Sequence, residues 1–253
     1  MVFPRCRVEE KMDAPDLSTD RHRAALAGLR RLNRISGVSL AMFRQLARLA
    51  AASASDKRPL RVLDVASGSG DLPIDWLKMA RLRGIPLAVT ALDRSELAMQ
   101  TASEAASAAG VELGTVCRDC LRDGLPNGFD VVTCSLFMHH LDPPDVSKLI
   151  QEMWRVSDRA IVICDLERSR MNLGLVAASA RLVTRSDVVH FDASASVRAA
   201  YTRGEFATLL HQALGFSVPV KTSFPCRFLA VIDQQCAAET VNGYAPVVVG
   251  AGS

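Results

Sequence analysis

The stretch Arg61-Val62-Leu63-Asp64-Val65-Ala66-Ser67-Gly68-Ser69-Gly70-Asp71-Leu72-Pro73 holds the densest cluster of chemically suggestive residues in this 253-residue chain. An apolar run ends in small residues and passes directly into a helical pattern. Glycine lets the main chain approach a ligand closely, and the first turn of the following helix offers unpaired N–H groups. Asp64, just before the loop, discriminates between ligands. Its carboxylate repels a pyrophosphate and suits a zwitterion or a cation. A dinucleotide site also calls for a third glycine in Gly-x-Gly-x-x-Gly, and Pro73 stands there instead.

Further acids and imidazoles recur downstream. Asp93 closes the apolar run Val89-Thr90-Ala91-Leu92, 29 residues after Asp64, a normal length for one strand–helix unit. A carboxylate there can accept from two sugar hydroxyls, or it can cap the next helix. Asp119 in Cys117-Arg118-Asp119-Cys120 ends another short strand pattern and reads equally well as a turn residue. Asp130, after Asn127-Gly128, reads as a cap at the start of its strand. The chain has five histidines. His139 and His140 follow the run Phe129–Ser135, and His190 lies between Asp187 and Asp192. Each is a candidate general base. The seven cysteines are scattered and odd in number, and no second Cys-x-x-Cys or His pair completes a zinc tetrad. Neither a metal nor a disulfide framework is expected.

These residues need elements to place them. Leu60–Ala66, Leu87–Leu92, Gly114–Cys117, Phe129–Ser135 and Ala160–Cys164 read as strands, with helical patterns at 71–83, 95–109 and 143–156. Such alternation implies a parallel sheet covered on both faces, with ligands bound at the carboxyl ends of the strands. Gly68, Asp93, Asp119, His139 and His140 all fall at those ends. After Asp165 the rhythm changes. Residues 169–203 read as helical, Gly204–Leu214 as another helix, and Phe216–Thr222 with Arg227–Asp233 as an antiparallel pair. Ahead of the sheet, helical spacing runs from Leu26 to Leu49, and Ala50–Pro59 is a linker. Gln234–Ser253 is weakly patterned and expected to fray.

Composition narrows the function. With 49% apolar and 23% charged residues the chain can fill a core, which excludes global disorder. No apolar run approaches the roughly 18 residues of a membrane span, and Met1–Glu10 lacks a secretory apolar region. A cytoplasmic protein is expected. The net charge of +3 is uneven, with 12 Lys/Arg against 6 Asp/Glu in residues 1–60. That front either meets an anion or is a solvated helix face. Aromatic residues are 5%, too few to stack on unpaired bases, so nucleic acid is the less favoured partner.

Val62-Leu63-Asp64-Val65-Ala66-Ser67-Gly68-Ser69-Gly70 resembles the first motif of the class I S-adenosylmethionine-dependent methyltransferases, with Ala66 in place of the first glycine. Val89–Asp93, Cys117–Cys120, Phe129–Leu141 and Ala160–Leu166 resemble the later motifs in register, so the likeness spans about 60–233. The resemblance implies an α/β, Rossmann-like, doubly wound seven-stranded sheet, parallel with one antiparallel strand, plus N-terminal helices and a helical lid insert. It implies S-adenosylmethionine as cofactor and S-adenosylhomocysteine as product. Asp64, Ala66, Ser67, Gly68 and Gly70 would face the methionyl part. Asp93 with Arg94 would meet the ribose, and Asp119 with Cys120 the adenine. Ser135 would line the same pocket. Arg34 would reach the cofactor carboxylate, or remain a surface arginine.

The same resemblance divides the chain into a helical segment 1–59 over the cofactor, a core 60–168, a lid 169–203 and a completing segment 204–253. No Asn/Asp-Pro-Pro-Tyr motif appears, since Asp142-Pro143-Pro144-Asp145 lacks the aromatic residue and falls too late. A small-molecule acceptor is therefore expected, bound by a monomer or homodimer. O-methylation of a phenolic or polyketide-like compound ranks first. C-methylation of a quinone precursor, or a cofactor-binding module without turnover or adapter subunit of a larger methyltransferase, are the alternatives. His140 is the first choice of base, then His139, then His190 beneath a closed lid. A histidine base predicts a rate that rises with pH near the ordinary imidazole pKa. Arg198 and Tyr201 either contact an acidic or phenolic acceptor or simply pack.

Overall fold

The computed structural model describes residues 3–8, 11, 28, 37–52, 58–184 and 186–235. Its strands are β1 (Leu60–Val65), β2 (Leu87–Asp93), β3 (Gly114–Cys117), β4 (Phe129–Ser135), β5 (Ser157–Leu166), β6 (Val220–Ser223) and β7 (Arg227–Asp233). Its helices are α1 (Val38–Ala51), α2 (Asp71–Arg83), α3 (Glu96–Ala108), α4 (Pro143–Val156), α5 (Arg170–Val183), α6 (Asp187–Ala199) and α7 (Arg203–Leu214). A single 3₁₀ turn, Met138–His140, follows β4.

The central strands are apolar on both faces because helices cover both sides. On one face Leu63, Val65, Val132, Cys134, Ile161 and Ile163 pack with Leu149, Ile150 and Met153 of α4 and Phe206 and Leu210 of α7. On the other, Val62, Val131, Val162 and Cys164 meet Met42, Phe43 and Leu46 of α1 and Trp76, Leu77 and Ala80 of α2. The Trp76 indole N–H donates to the Ser39 carbonyl (3.1 Å), which ties α2 to α1. Burying a tryptophan without that partner would cost a lost hydrogen bond.

The sheet order is β3-β2-β1-β4-β5-β7-β6. β1 to β5 are parallel, and β7 runs antiparallel to both β5 and β6. The fold is thus the seven-stranded, doubly wound α/β arrangement with one reversed strand. Strand order reverses between β1 and β4, which opens a crevice at their carboxyl ends.

The element boundaries differ from expectation where tertiary pairing acts. β5 extends beyond 160–164 on both sides because it pairs with β7 along Ala160–Leu166 and with β4 from Ser157. β6 begins at Val220 rather than Phe216, whose ring instead packs on Trp154 with centroids 5.6 Å apart. The helical stretch 169–203 is two helices, and the second starts where the Ser186 hydroxyl accepts from the Val189 N–H. Asp130 caps the amino end of β4 as expected: it is buried and accepts from Arg58 (both contacts 2.6 Å) and from the Arg61 N–H (2.8 Å). The helical spacing expected over 26–36, Arg34 within it, and the tail 236–253 lie outside the described residues, apart from Gly28.

Candidate active site

β1 delivers Asp64 and then breaks into a turn with three left-handed residues, Ala66 (φ 55°), Gly68 (φ 55°) and Gly70 (φ 72°). The turn is cross-linked at its base: Ser67 N–H donates to the Leu92 carbonyl (3.0 Å), and Gly70 N–H to the Ser67 carbonyl (3.1 Å). The two glycines serve different ends. A Cβ on Gly70 would stand 2.9 Å from Ala102 Cβ and 3.2 Å from Leu113 Cδ2, so its absence lets α2 seat against α3. A Cβ on Gly68 would meet nothing within 4 Å. That side of the loop is open for a ligand. Ala66 is in the left-handed region too, a strain of about 1–2 kcal/mol for a residue with a side chain.

Asp64 is 2% exposed and accepts from Ser67 Oγ (2.6 Å) and Thr133 Oγ1 (2.7 Å). Burial outweighs those two donors and pushes its carboxyl up to about 6. Asp93, at the end of β2, accepts the Gly68 N–H on Oδ2 (2.9 Å) and the Ser95 N–H on Oδ1 (3.0 Å). It therefore holds the loop, and each oxygen keeps a lone pair for a further donor. The Ser95 hydroxyl, not Asp93, is the cap of α3, accepting from Ala98 N–H (3.2 Å).

Ser135 ends β4, two strands from Asp93, and is 8% exposed. Its hydroxyl has no hydrogen-bond partner among the described residues. An orphaned buried hydroxyl at the crevice, open space above Gly68 and spare lone pairs on Asp93 fit a polar ligand such as S-adenosylmethionine. Asp119 is more locally occupied: Oδ1 accepts from Leu121 N–H (2.9 Å) and Arg122 N–H (3.3 Å), the geometry of a turn residue. Cys120 beside it is buried, and burial lifts its thiol to about 11. It belongs to the core cluster with Leu92 and Met138 and is no nucleophile at neutral pH. Arg94 is exposed and offers its carbonyl to Cys117 Sγ (3.6 Å).

His139 and His140 sit on the 3₁₀ turn with ring centroids 4.3 Å apart. They are not equivalent. His139 is 2% exposed, and Asp165 at the end of β5 takes both its Nδ1 (2.7 Å) and its main-chain N–H (3.0 Å). His140 is half-buried. Burial first, then the neighbouring His139, depress its imidazole to about 3. A rate rising near the ordinary histidine pKa is thus not what this His140 would give, because the ring is already neutral throughout the physiological range. His190 ties Nε2 to the Thr184 carbonyl (2.8 Å) at the junction of α5 and α6. Tyr201 is buried and donates to the Leu141 carbonyl (2.7 Å), whereas Arg198 is exposed.

Sequence reasoning overlooked Thr133, Ser95, Asp165, Arg5 and Arg7. Asp165 had a legible signal, since it ends an apolar strand as Asp93 does. Arg5 and Arg7 had none, because only the fold brings them beside residue 140.

Residues 62–159 match the family model described as a methyltransferase domain. No curated protein matches the chain in sequence. Among solved structures, the plantazolicin methyltransferase BpumL, in complex with a monoazolic desmethyl analogue and S-adenosylhomocysteine, superposes with a TM-score of 0.63 at 16% identity over 84% of this chain and 89% of that one. The plantazolicin methyltransferase BamL gives 0.56 at 21% identity over 87% and 84%. The mitomycin 7-O-methyltransferase MmcR gives 0.52 at 22% identity over 76% and 53%. At these identities the likeness is one of fold. Residues 62–159 are similar to a methyltransferase domain, and the fold of the chain is the one shared with the class I S-adenosylmethionine-dependent methyltransferases.

Proposed function

We propose that this chain binds S-adenosylmethionine over the Gly68 loop and methylates an oxygen of a small phenolic or polyketide-like acceptor. The observation that carries this is the Asp93 clamp on Gly68, with open space beside Gly68 at the carboxyl end of β1. When bound, the cofactor supplies an electrophilic methyl on a sulfonium centre. Asp64 would balance its cationic amine or the loop around it, Asp93 would take the ribose hydroxyls, and Ser135 would gain a partner. Ala66, Ser67 and Gly70 would shape the loop, and Asp119 with Cys120 and Arg94 would border the base. The relatives' names favour oxygen: one acts at a 7-O position.

His140 accepts the proton in this proposal. Its ring is neutral and half-buried, so it can hold an acceptor hydroxyl as a hydrogen-bond acceptor. The low basicity suits a late transfer, because the hydroxyl becomes strongly acidic only as its oxygen gains the methyl carbon. Positioning then supplies much of the acceleration. His139, locked by Asp165, anchors the turn and is the second candidate. His190 is the third, as it would need to leave the Thr184 carbonyl.

Calorimetry with S-adenosylmethionine, then product detection on a panel of phenols and quinone precursors, tests the proposal. Binding with O-methylated product is expected. Carbon-methylated product would replace the acceptor assignment, and binding without product would leave a cofactor-binding module. His140→Ala should lower kcat about 10- to 100-fold, below the range of a well-matched general base, with cofactor affinity intact. The wild-type rate should show no His140 limb between pH 5 and 8. A limb near 6.5 that vanishes in His140→Ala would contradict the buried, neutral ring.

A further inference from the structure

The segment Phe3–Val8 lies across the turn after β4 and the end of α6. Its main chain is anchored on both sides. The Cys6 N–H donates to the Arg198 carbonyl (3.0 Å), and the Phe3 carbonyl accepts from Arg168 Nε (2.8 Å). Two arginines then reach consecutive carbonyls of one turn. Arg5 donates through Nη2 to the His139 (3.1 Å) and Leu141 (2.8 Å) carbonyls and through Nε to the Ala199 carbonyl (2.6 Å). Arg7 donates to the His140 carbonyl (2.7 Å) and to Asp142 Oδ2 (2.7 Å). The Arg5 guanidinium lies 4.1 Å from the centroid of the Tyr201 ring, whose hydroxyl meets the same Leu141 carbonyl.

A helical turn leaves its last carbonyls without internal partners, and a three-residue 3₁₀ turn is weak by itself. Here two guanidinium groups from a segment more than 130 residues distant fill that gap. The fork of Arg5 suits the task, since several N–H donors in one plane can serve carbonyls from two elements at once. Arg7, with a side chain about half exposed, serves only the near side. Of the two arginines, Arg5 is the one that bridges the turn and α6.

We propose that Arg5 is a positioning residue for methyl transfer: its fork fixes the His139–Leu141 turn against α6, so that His140 is aimed at the acceptor. This rests on the reading of His140 given above. Arg5 touches neither the Gly68 loop nor Asp93, so the cofactor side is predicted to be independent of it.

The test compares full-length wild type, Arg5→Met and Arg5→Lys. Arg5→Met keeps much of the apolar stem and loses the fork, whereas Arg5→Lys keeps the charge and can serve fewer carbonyls. Expected for Arg5→Met is a kcat lower by about tenfold or more, with the calorimetric Kd for S-adenosylmethionine within twofold of wild type. Arg5→Lys should recover part of kcat. Proton NMR on histidine-labelled protein supplies a readout independent of activity: the close contact between the His139 and His140 rings should weaken in Arg5→Met. Wild-type kcat in folded Arg5→Met overturns the proposal. So does a ring contact that survives a loss of kcat, or a parallel loss of cofactor affinity, which marks a general structural role. A ring contact that depends on Arg5 while His140→Ala keeps wild-type kcat overturns the base assignment instead, and the Arg5 proposal falls with it.

Discussion

Asp64 and Asp93 are both strand-end carboxylates, but their surroundings differ, and so do the predictions. Burial raises the Asp64 carboxyl from 3.8 to about 6, against the Ser67 and Thr133 hydroxyls that lower it and with Asp93 adding to the rise. The folded state therefore binds the Asp64 proton more tightly than the unfolded chain. Its contribution to stability is present below pH 3.8 and is lost as pH rises through 6. Asp64→Asn should be more stable than wild type at pH 8 by about 2–3 kcal/mol, with the gain vanishing near pH 4, as urea melts at both pH values would read. Its cofactor affinity should fall. A variant with no pH-dependent gain would mean the carboxylate is already compensated. Asp93→Ala removes the acceptor for Gly68 N–H and Ser95 N–H together. It should weaken S-adenosylmethionine by about 1–3 kcal/mol in calorimetry, and unchanged affinity would move the ribose site elsewhere.

At the scale of elements, the loop between β1 and α2 separates packing from binding at two positions. Gly70 abuts α3, so Gly70→Ala should cost about 2–4 kcal/mol from the clash with Ala102 and Leu113 together with its left-handed φ. Gly68→Ala meets no protein atom within 4 Å, so its stability cost should be only the left-handed strain of about 1 kcal/mol. Its methyl projects into the open space proposed for the cofactor, however, and cofactor affinity should drop at least tenfold. Thermal melts and calorimetry on the two variants should thus give opposite rankings. Equal cofactor losses at equal stability would show that the open side of Gly68 is not the binding side.

Across the whole molecule, the two ends of the sheet carry different duties. The carboxyl end holds the candidate site, and the amino end holds Asp130 with Arg58 and Arg61. Burial alone would raise the Asp130 carboxyl, but hydrogen bonds from Arg58 and Arg61 bring it down to about 2. Its stabilising share is complete above pH 4 and is lost as pH falls through 2. Asp130→Asn should lower stability at pH 7 by about 2 kcal/mol, chiefly because a buried acceptor of two charged donors is replaced by an amide. Cofactor affinity should not move, because β4 separates Asp130 from Ser135 by its whole length. Urea melts and calorimetry on one preparation would check both. A matched loss of affinity would mean that the sheet ends are coupled.

The sequence by itself determined the parallel sheet, the order of its units and the Asp64–Gly68–Gly70 loop with Asp93. Those features are local: apolar strand runs, helical periods and glycines read directly from neighbouring residues. Asp130 belongs to the same class, being set within a few positions of a strand start. The tertiary structure alone decided which side of the loop is open, since Gly68 and Gly70 look alike in sequence and differ only by what α3 places beside them. It also decided the inequality of His139 and His140. Adjacent side chains on a turn diverge, and only the arrival of Asp165 from β5 and of Arg5 and Arg7 from the first residues assigns one ring to an anchor and the other to a neutral, half-buried place. Burial is a property of the assembled core, and so the pKa values that follow from it could not be read along the chain.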